Sequence, residues 1–182
     1  MKMKMKTRLA RSFTLIELMT VVAIIAVLAG LVLGGAGAVR QRAARGQAEA
    51  EIAAIEAGLV RYQMDFGGYP VPTNNITVDG DVYGATPTAY TSAGRTLFAS
   101  LWGSSTYSNT TPGRKQYLSV KPSMVSSDGQ NRFVDPWGNT YGYYWTGSNS
   151  IFGGSVPDIW STAGQGGSAG QTNRLKWITS WE

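Results

Sequence analysis

The chain has 182 residues, room for one domain and an accessory segment, with neither cysteine nor histidine. Those absences exclude a disulfide framework, thiolate metal sites, Ser-His or Cys-His nucleophilic catalysis and the common zinc centres. The net charge of +5 is a property of the leading end: Lys2, Lys4, Lys6, Arg8 and Arg11 stand in the first twelve residues with no acid, and the remaining 11 basic residues balance 11 acids. A phosphate-binding stripe needs clustered cations in the body, so the basic pI is no argument for nucleic acid. Arg40, Arg42 and Arg45 form the one body cluster, just after an apolar run, where an anionic membrane surface is the expected neighbour.

Residues 18–39 are 22 consecutive positions without a charge. As a helix they extend ~33 Å, enough for a hydrocarbon core of about 30 Å. Three readings compete for this end. A secretory signal peptide has a shorter apolar stretch, although Gly35-Ala36-Gly37-Ala38 offers small residues for a cut. A plain anchor fits the length and the five basic residues ahead of the span. Neither accounts for Glu17 at the mouth of the run, since a carboxylate in a membrane helix costs about 3 kcal/mol and normally has a partner. Gly30 and Gly34 form a small-xxx-small pair, read either as close helix packing in an assembly or as ordinary membrane-helix glycine.

From residue 40 to 66 the sequence continues without proline, and Ala48, Ile52, Ile55, Leu59, Tyr62 and Phe66 recur at three- and four-residue spacings. This is one apolar stripe on a helix, and it needs a surface to pack against. Gly67-Gly68-Tyr69-Pro70 ends the helix. All seven prolines, all six tryptophans and 17 of the 23 glycines lie from residue 67 onward.

The region 71–94 reads as a long polar surface loop, in which Asp79-Gly80-Asp81 looks like calcium-ligand spacing but suits a hairpin turn better. Arg95 to Trp102 places Leu97, Phe98, Leu101 and Trp102 on one helical face. Residues 141–146, 158–162 and 174–181 are rich in aromatic and β-branched side chains and predict strands. The group Trp137, Tyr141, Tyr143, Tyr144 and Trp145 has two readings, a carbohydrate platform or the core of a small β domain, and the second is preferred.

The residues Ser12-Phe13-Thr14-Leu15-Ile16-Glu17-Leu18 closely resemble the cleavage and methylation motif of type IV prepilins. The resemblance implies that a prepilin peptidase cuts between Ser12 and Phe13 on the cytoplasmic side and methylates the new Phe13 amine. Ser12 stands where that family usually has Gly. Glu17 becomes the fifth mature residue, and in a filament it would neutralise the Phe13 amine of an adjacent subunit.

Within that superfamily the body is most similar to the major pseudopilins of type II secretion systems, on three segments. Residues 57–72 (AGLVRYQMDFGGYPVP) match the family's helix end, and Asp135-Pro136-Trp137-Gly138-Asn139-Thr140-Tyr141 its Asp-Pro-Trp-Gly turn. Asp158-Ile159-Trp160-Ser161 matches the start of its calcium loop. A calcium site here would use Asp158, Ser161 and Gln165, but Gln165 replaces an acid, and calcium affinity depends on ligand charge. The competing reading is a turn held by hydrogen bonds from Asp158.

The expected fold is therefore α+β and pilin-like. A long N-terminal helix, its first half transmembrane, carries a small C-terminal antiparallel sheet. The segments are a leader (1–12), a transmembrane and polymerisation helix (13–39), an amphipathic continuation (40–66) and a loop and sheet domain (67–182). The resemblance implies a non-enzymatic homo-oligomeric filament subunit. Its partners are a prepilin peptidase, minor pseudopilins and an inner-membrane assembly platform. It would sit single-pass in the inner membrane, N-terminus cytoplasmic and C-terminal domain periplasmic. The alternatives are a minor pilin or DNA-uptake pseudopilin of the same architecture and a membrane-tethered glycan-binding domain. A carboxylate hydrolase would rest on Asp135 and Asp158 alone.

Overall fold

The computed structural model describes residues 13–72, 91–108, 114–165 and 176–181, without side chains at 32–36. The leader with Ser12, Asp79-Gly80-Asp81 with most of the loop around it, and residues 166–175 lie outside the described set. By its contacts the chain divides into two compact units whose boundary falls between Gln41 and Arg42, inside the first helix.

That helix, α1, runs over Leu15–Phe66. Its start follows from local chemistry. Thr14 and Glu17 form a reciprocal capping box: the Thr14 amide donates to Glu17 Oε2 (2.9 Å) and the Glu17 amide donates to Thr14 Oγ1 (3.3 Å). In the first unit every described side chain of α1 is exposed, including Leu15, Ile16, Val21, Ile24, Ile25, Leu28 and Leu31. Among the described residues no helix is long and apolar enough to cross a membrane.

In the second unit α1 buries one stripe. Ala48, Ile52, Ile55 and Leu59 are essentially inaccessible and Tyr62 is partly covered. The last member of the expected stripe differs. Phe66 is 65% exposed, because the helix ends beside it and its ring stacks on Tyr62 (4.4 Å) instead of entering the core. Gly67 stops the helix as expected, with φ +76° and its amide donating to Gln63 O at 2.7 Å.

Helix α2, Thr91–Trp102, packs Ala93, Gly94, Leu97, Phe98 and Leu101 inward and leaves Trp102 half-buried. It begins four residues before the predicted Arg95. The extra turn is held by packing: a Cβ on Gly94 would lie 2.9 Å from Thr140 Cγ2, so the helix backbone rests on that residue.

The sheet is an antiparallel meander of β1 (Gly142–Tyr144), β2 (Asp158–Ser161) and β3 (Ile178–Thr179), in that order. Tyr143 pairs with Ile159 and Ser161 with Ile178. The three strands are shorter than predicted but fall inside the predicted segments. Tyr141, Tyr143, Tyr144 and Trp145 are all buried, and Trp137 is partly buried against the core. They are therefore core residues and offer no surface platform for a sugar.

Candidate assembly site

The first candidate region is the head of α1. Phe13 is 78% exposed, and Glu17 stands one turn further on. Besides the capping bonds, the Thr14 hydroxyl donates to Glu17 Oε2 at 2.8 Å, and the Thr20 hydroxyl donates to the Glu17 carbonyl at 2.9 Å. Both bonds that hold the carboxylate land on Oε2, so Oε1 remains open to an incoming donor. The head thus presents a fixed carboxylate beside the residue whose amide nitrogen becomes an amine if the chain is cut before Phe13. The Thr14 partnership has a sequence signature, the T-x-x-E spacing of a capping box, independent of any intermolecular partner for Glu17.

The second region is the pair of loops around β2. Asp135 is 2% exposed and organises the Asp-Pro-Trp-Gly-Asn turn. Its Oδ1 accepts the amides of Trp137 (3.0 Å) and Asn139 (2.8 Å), and its Oδ2 accepts the Ser161 hydroxyl at 2.6 Å. Burial pushes the Asp135 carboxyl above the usual range and the Glu51 charge adds to this, while the bonds from Ser161, Asn139 and Trp137 oppose it. Glu51 in turn accepts the Tyr141 hydroxyl at 2.7 Å, which ties the start of the sheet to α1.

Asp158 looks the other way. In a strand, residues three apart point to opposite faces, so Asp158 and Ser161 cannot converge while both lie in β2. The Asp158 carboxylate accepts three backbone amides from the preceding loop, Ile151 (2.9 Å) and Phe152 (3.2 Å) on Oδ2 and Gly153 (2.7 Å) on Oδ1. Ser161 is occupied by Asp135 and accepts the Ala163 amide at 3.0 Å. Gln165 follows a left-handed Ala163-Gly164 pair, and its Oε1 is buried without a hydrogen bond. Among the described residues there is no group of three acids able to hold a metal ion. The donor set does not fit calcium as it is arranged.

Among the described residues of the β2 loops, the Ser161 hydroxyl that donates to Asp135 is buried together with its acceptor, out of reach of a substrate. Asp135 and Asp158, the two candidates for carboxylate chemistry, are each enclosed by donors and serve as anchors.

Comparison with known proteins bears on the head of α1 and on the chain as a whole. Residues 7–33 match the prokaryotic N-terminal methylation motif family. The type II secretion system core protein G of Klebsiella pneumoniae is 32% identical over 133 residues, covering 71% of this chain and 93% of that relative. No solved structure matches. With a methylation motif at the head of α1 and most of the chain alignable over nearly the whole of that relative, the chain belongs to the protein G family of type II secretion and is a pseudopilin of the type IV pilin-like superfamily.

Proposed function

We propose that this pseudopilin is cleaved between Ser12 and Phe13, methylated on the Phe13 amine, and polymerised through α1 into a helical filament that drives protein secretion. The observation that carries the reading is the head of α1. An apolar surface exposed on all sides is led by one carboxylate, held by Thr14 through one oxygen and open at the other. Water does not oppose such a surface when lipid or other copies of the helix cover it.

Before assembly the uncharged run 18–39 spans the inner membrane. The basic leader faces the cytoplasm, and Arg40 and Arg42 meet the headgroups on the far side, so that the sheet domain is periplasmic. Leaving the membrane for a filament exchanges lipid contacts for helix contacts. It buries Glu17 against an incoming Phe13 amine, so two charges enter the apolar core as a pair. The partners in this scheme are a prepilin peptidase, minor pseudopilins and an inner-membrane platform, and the subunit itself performs no catalysis.

The test is co-expression of the full chain with a prepilin peptidase, followed by mass spectrometry. The expected product lacks residues 1–12 and carries one added methyl on Phe13. An intact leader, or a cut near Ala38, would remove the basis for polymerisation through a free Phe13 amine.

A further inference from the structure

We infer that the Asp158 carboxylate staples the C-terminal loops without a metal, so that this pseudopilin folds and keeps its β-domain equally well with and without calcium. The argument starts from strand parity. Asp158 and Ser161 both belong to β2 and face opposite ways, one toward residues 151–153 and the other toward Asp135. Bringing their oxygens to one ion would require β2 to come apart and Asp135 to lose its buried hydroxyl donor.

The second step concerns charge. Three N–H dipoles converge on the Asp158 carboxylate from Ile151, Phe152 and Gly153. They supply the positive end that a bound cation would otherwise provide, and a cation on the same oxygens would stand against them. The loop is moulded to this task. Ser150 donates its amide to Gly154 O and Val156 donates to Gly153 O, closing a tight turn over residues 150–156. At its centre a Cβ on Gly153 would lie 2.6 Å from Val156 O and 3.0 Å from Asp158 Oδ1, so only glycine allows the amide to reach the carboxylate. The turn then lays the Phe152 ring flat on Trp181 (4.9 Å, 17°), and the staple secures the end of the chain as well.

The third step is the ligand supply. Calcium takes 6–8 oxygens and depends on carboxylate charge for affinity. Between Asp158 and Glu182 the sequence contains no acid at all, so the stretch 159–181 offers only neutral oxygens.

The experiment is a thermal melt of the full-length chain in detergent micelles, followed by circular dichroism, in calcium chloride and in the chelator EGTA. The expected melting temperatures agree within about 1 °C, and Asp158→Asn lowers both by the same several degrees. Gln165→Asp restores one acid but leaves Asp158 and Ser161 facing apart, so it too melts alike in both buffers. A calcium-dependent rise of several degrees in the wild type, or an Asp158→Asn deficit seen only in calcium, would overturn the inference. Should Asp158→Asn fail to accumulate, limited proteolysis of the wild type in the two buffers decides the matter. Identical fragment patterns support the staple, and protection by calcium overturns it.

Discussion

Gly142 of β1 lies directly beneath the indole of Trp160 on the neighbouring strand, and the two residues are register partners. A Cβ at 142 would fall within that ring. Trp160 is 1% exposed and cannot swing into solvent without opening the core. Gly142→Ala should therefore destabilise the domain by about 3 kcal/mol, a loss of roughly 8 °C in melting temperature. A double-mutant cycle with Trp160→Leu measures the cause. The added methyl should cost much less when the ring is gone, and purely additive effects would point to backbone strain instead.

Tyr141 and Glu51 are ninety positions apart, yet the hydroxyl of one donates to the carboxylate of the other at 2.7 Å. The second oxygen of Glu51 is held by Gln47 Nε2 at 2.8 Å. Tyr141→Phe removes the donor while keeping a ring that is fully buried. The expected loss is ~1.5 kcal/mol, read as a drop of about 4 °C, at the low end for charged acceptors because Glu51 is half exposed. No change in melting temperature would mean that apolar packing alone fixes the sheet on α1.

The tyrosines also set an alkaline limit. Burial of the ring, and then the bond to Asp65, push Tyr117 up to about 12, and burial pushes Tyr141 and Tyr143 upward as well. An unfolded tyrosine releases its proton near its ordinary 10.0, whereas the folded chain keeps these three protonated beyond that. The unfolded state then binds fewer protons, so stability falls as pH rises above about 10 and is unaffected by these groups at neutral pH. Ultraviolet titration should show a late tyrosinate fraction released together with the helical signal. Ionisation of all nine tyrosines near 10 with the fold intact would contradict this.

Much of the architecture is legible in the sequence because it rests on local signals. The stripe from Ala48 to Leu59, the Gly67 stop and the aromatic strand segments each declare themselves by spacing or residue type. What is not legible depends on register and on partners far away in the chain. Phe66 continues the stripe by number, but among the described residues no layer of the fold extends to cover it. The pattern Asp158-x-x-Ser161 suggests convergent ligands only if the segment is a loop; once it is a strand, parity sends the two oxygens apart. The amides of 151–153 carry no sequence signature as ligands, since any residue except proline supplies an N–H. At the head of the helix the reverse holds: Thr14 and Glu17 are three apart, and their pairing needs no tertiary information.

That pairing sharpens the test of polymerisation against simple tethering. Glu17 has two separable properties, a side chain that caps the helix and a charge that can neutralise an amine. Glutamine at the third helical position still serves a capping box, so Glu17→Gln keeps the start of α1 while removing the charge. Glu17→Ala removes both. If Glu17 meets the Phe13 amine of an adjacent subunit in an apolar core, deleting one member strands the other, at a cost of about 3–5 kcal/mol per contact. Both variants should then be inserted and cleaved, because the peptidase acts on single chains, and both should fail to join filaments. A tethered domain predicts anchoring at least as firm for each, since a charge has left the apolar helix. If the carboxylate mattered only as a cap, Glu17→Gln would assemble normally and Glu17→Ala would not. Shearing and crosslinking assays for multimers, beside a membrane-fractionation control, separate the three cases. Normal multimers from both variants would exclude a role for Glu17 in the contact between subunits.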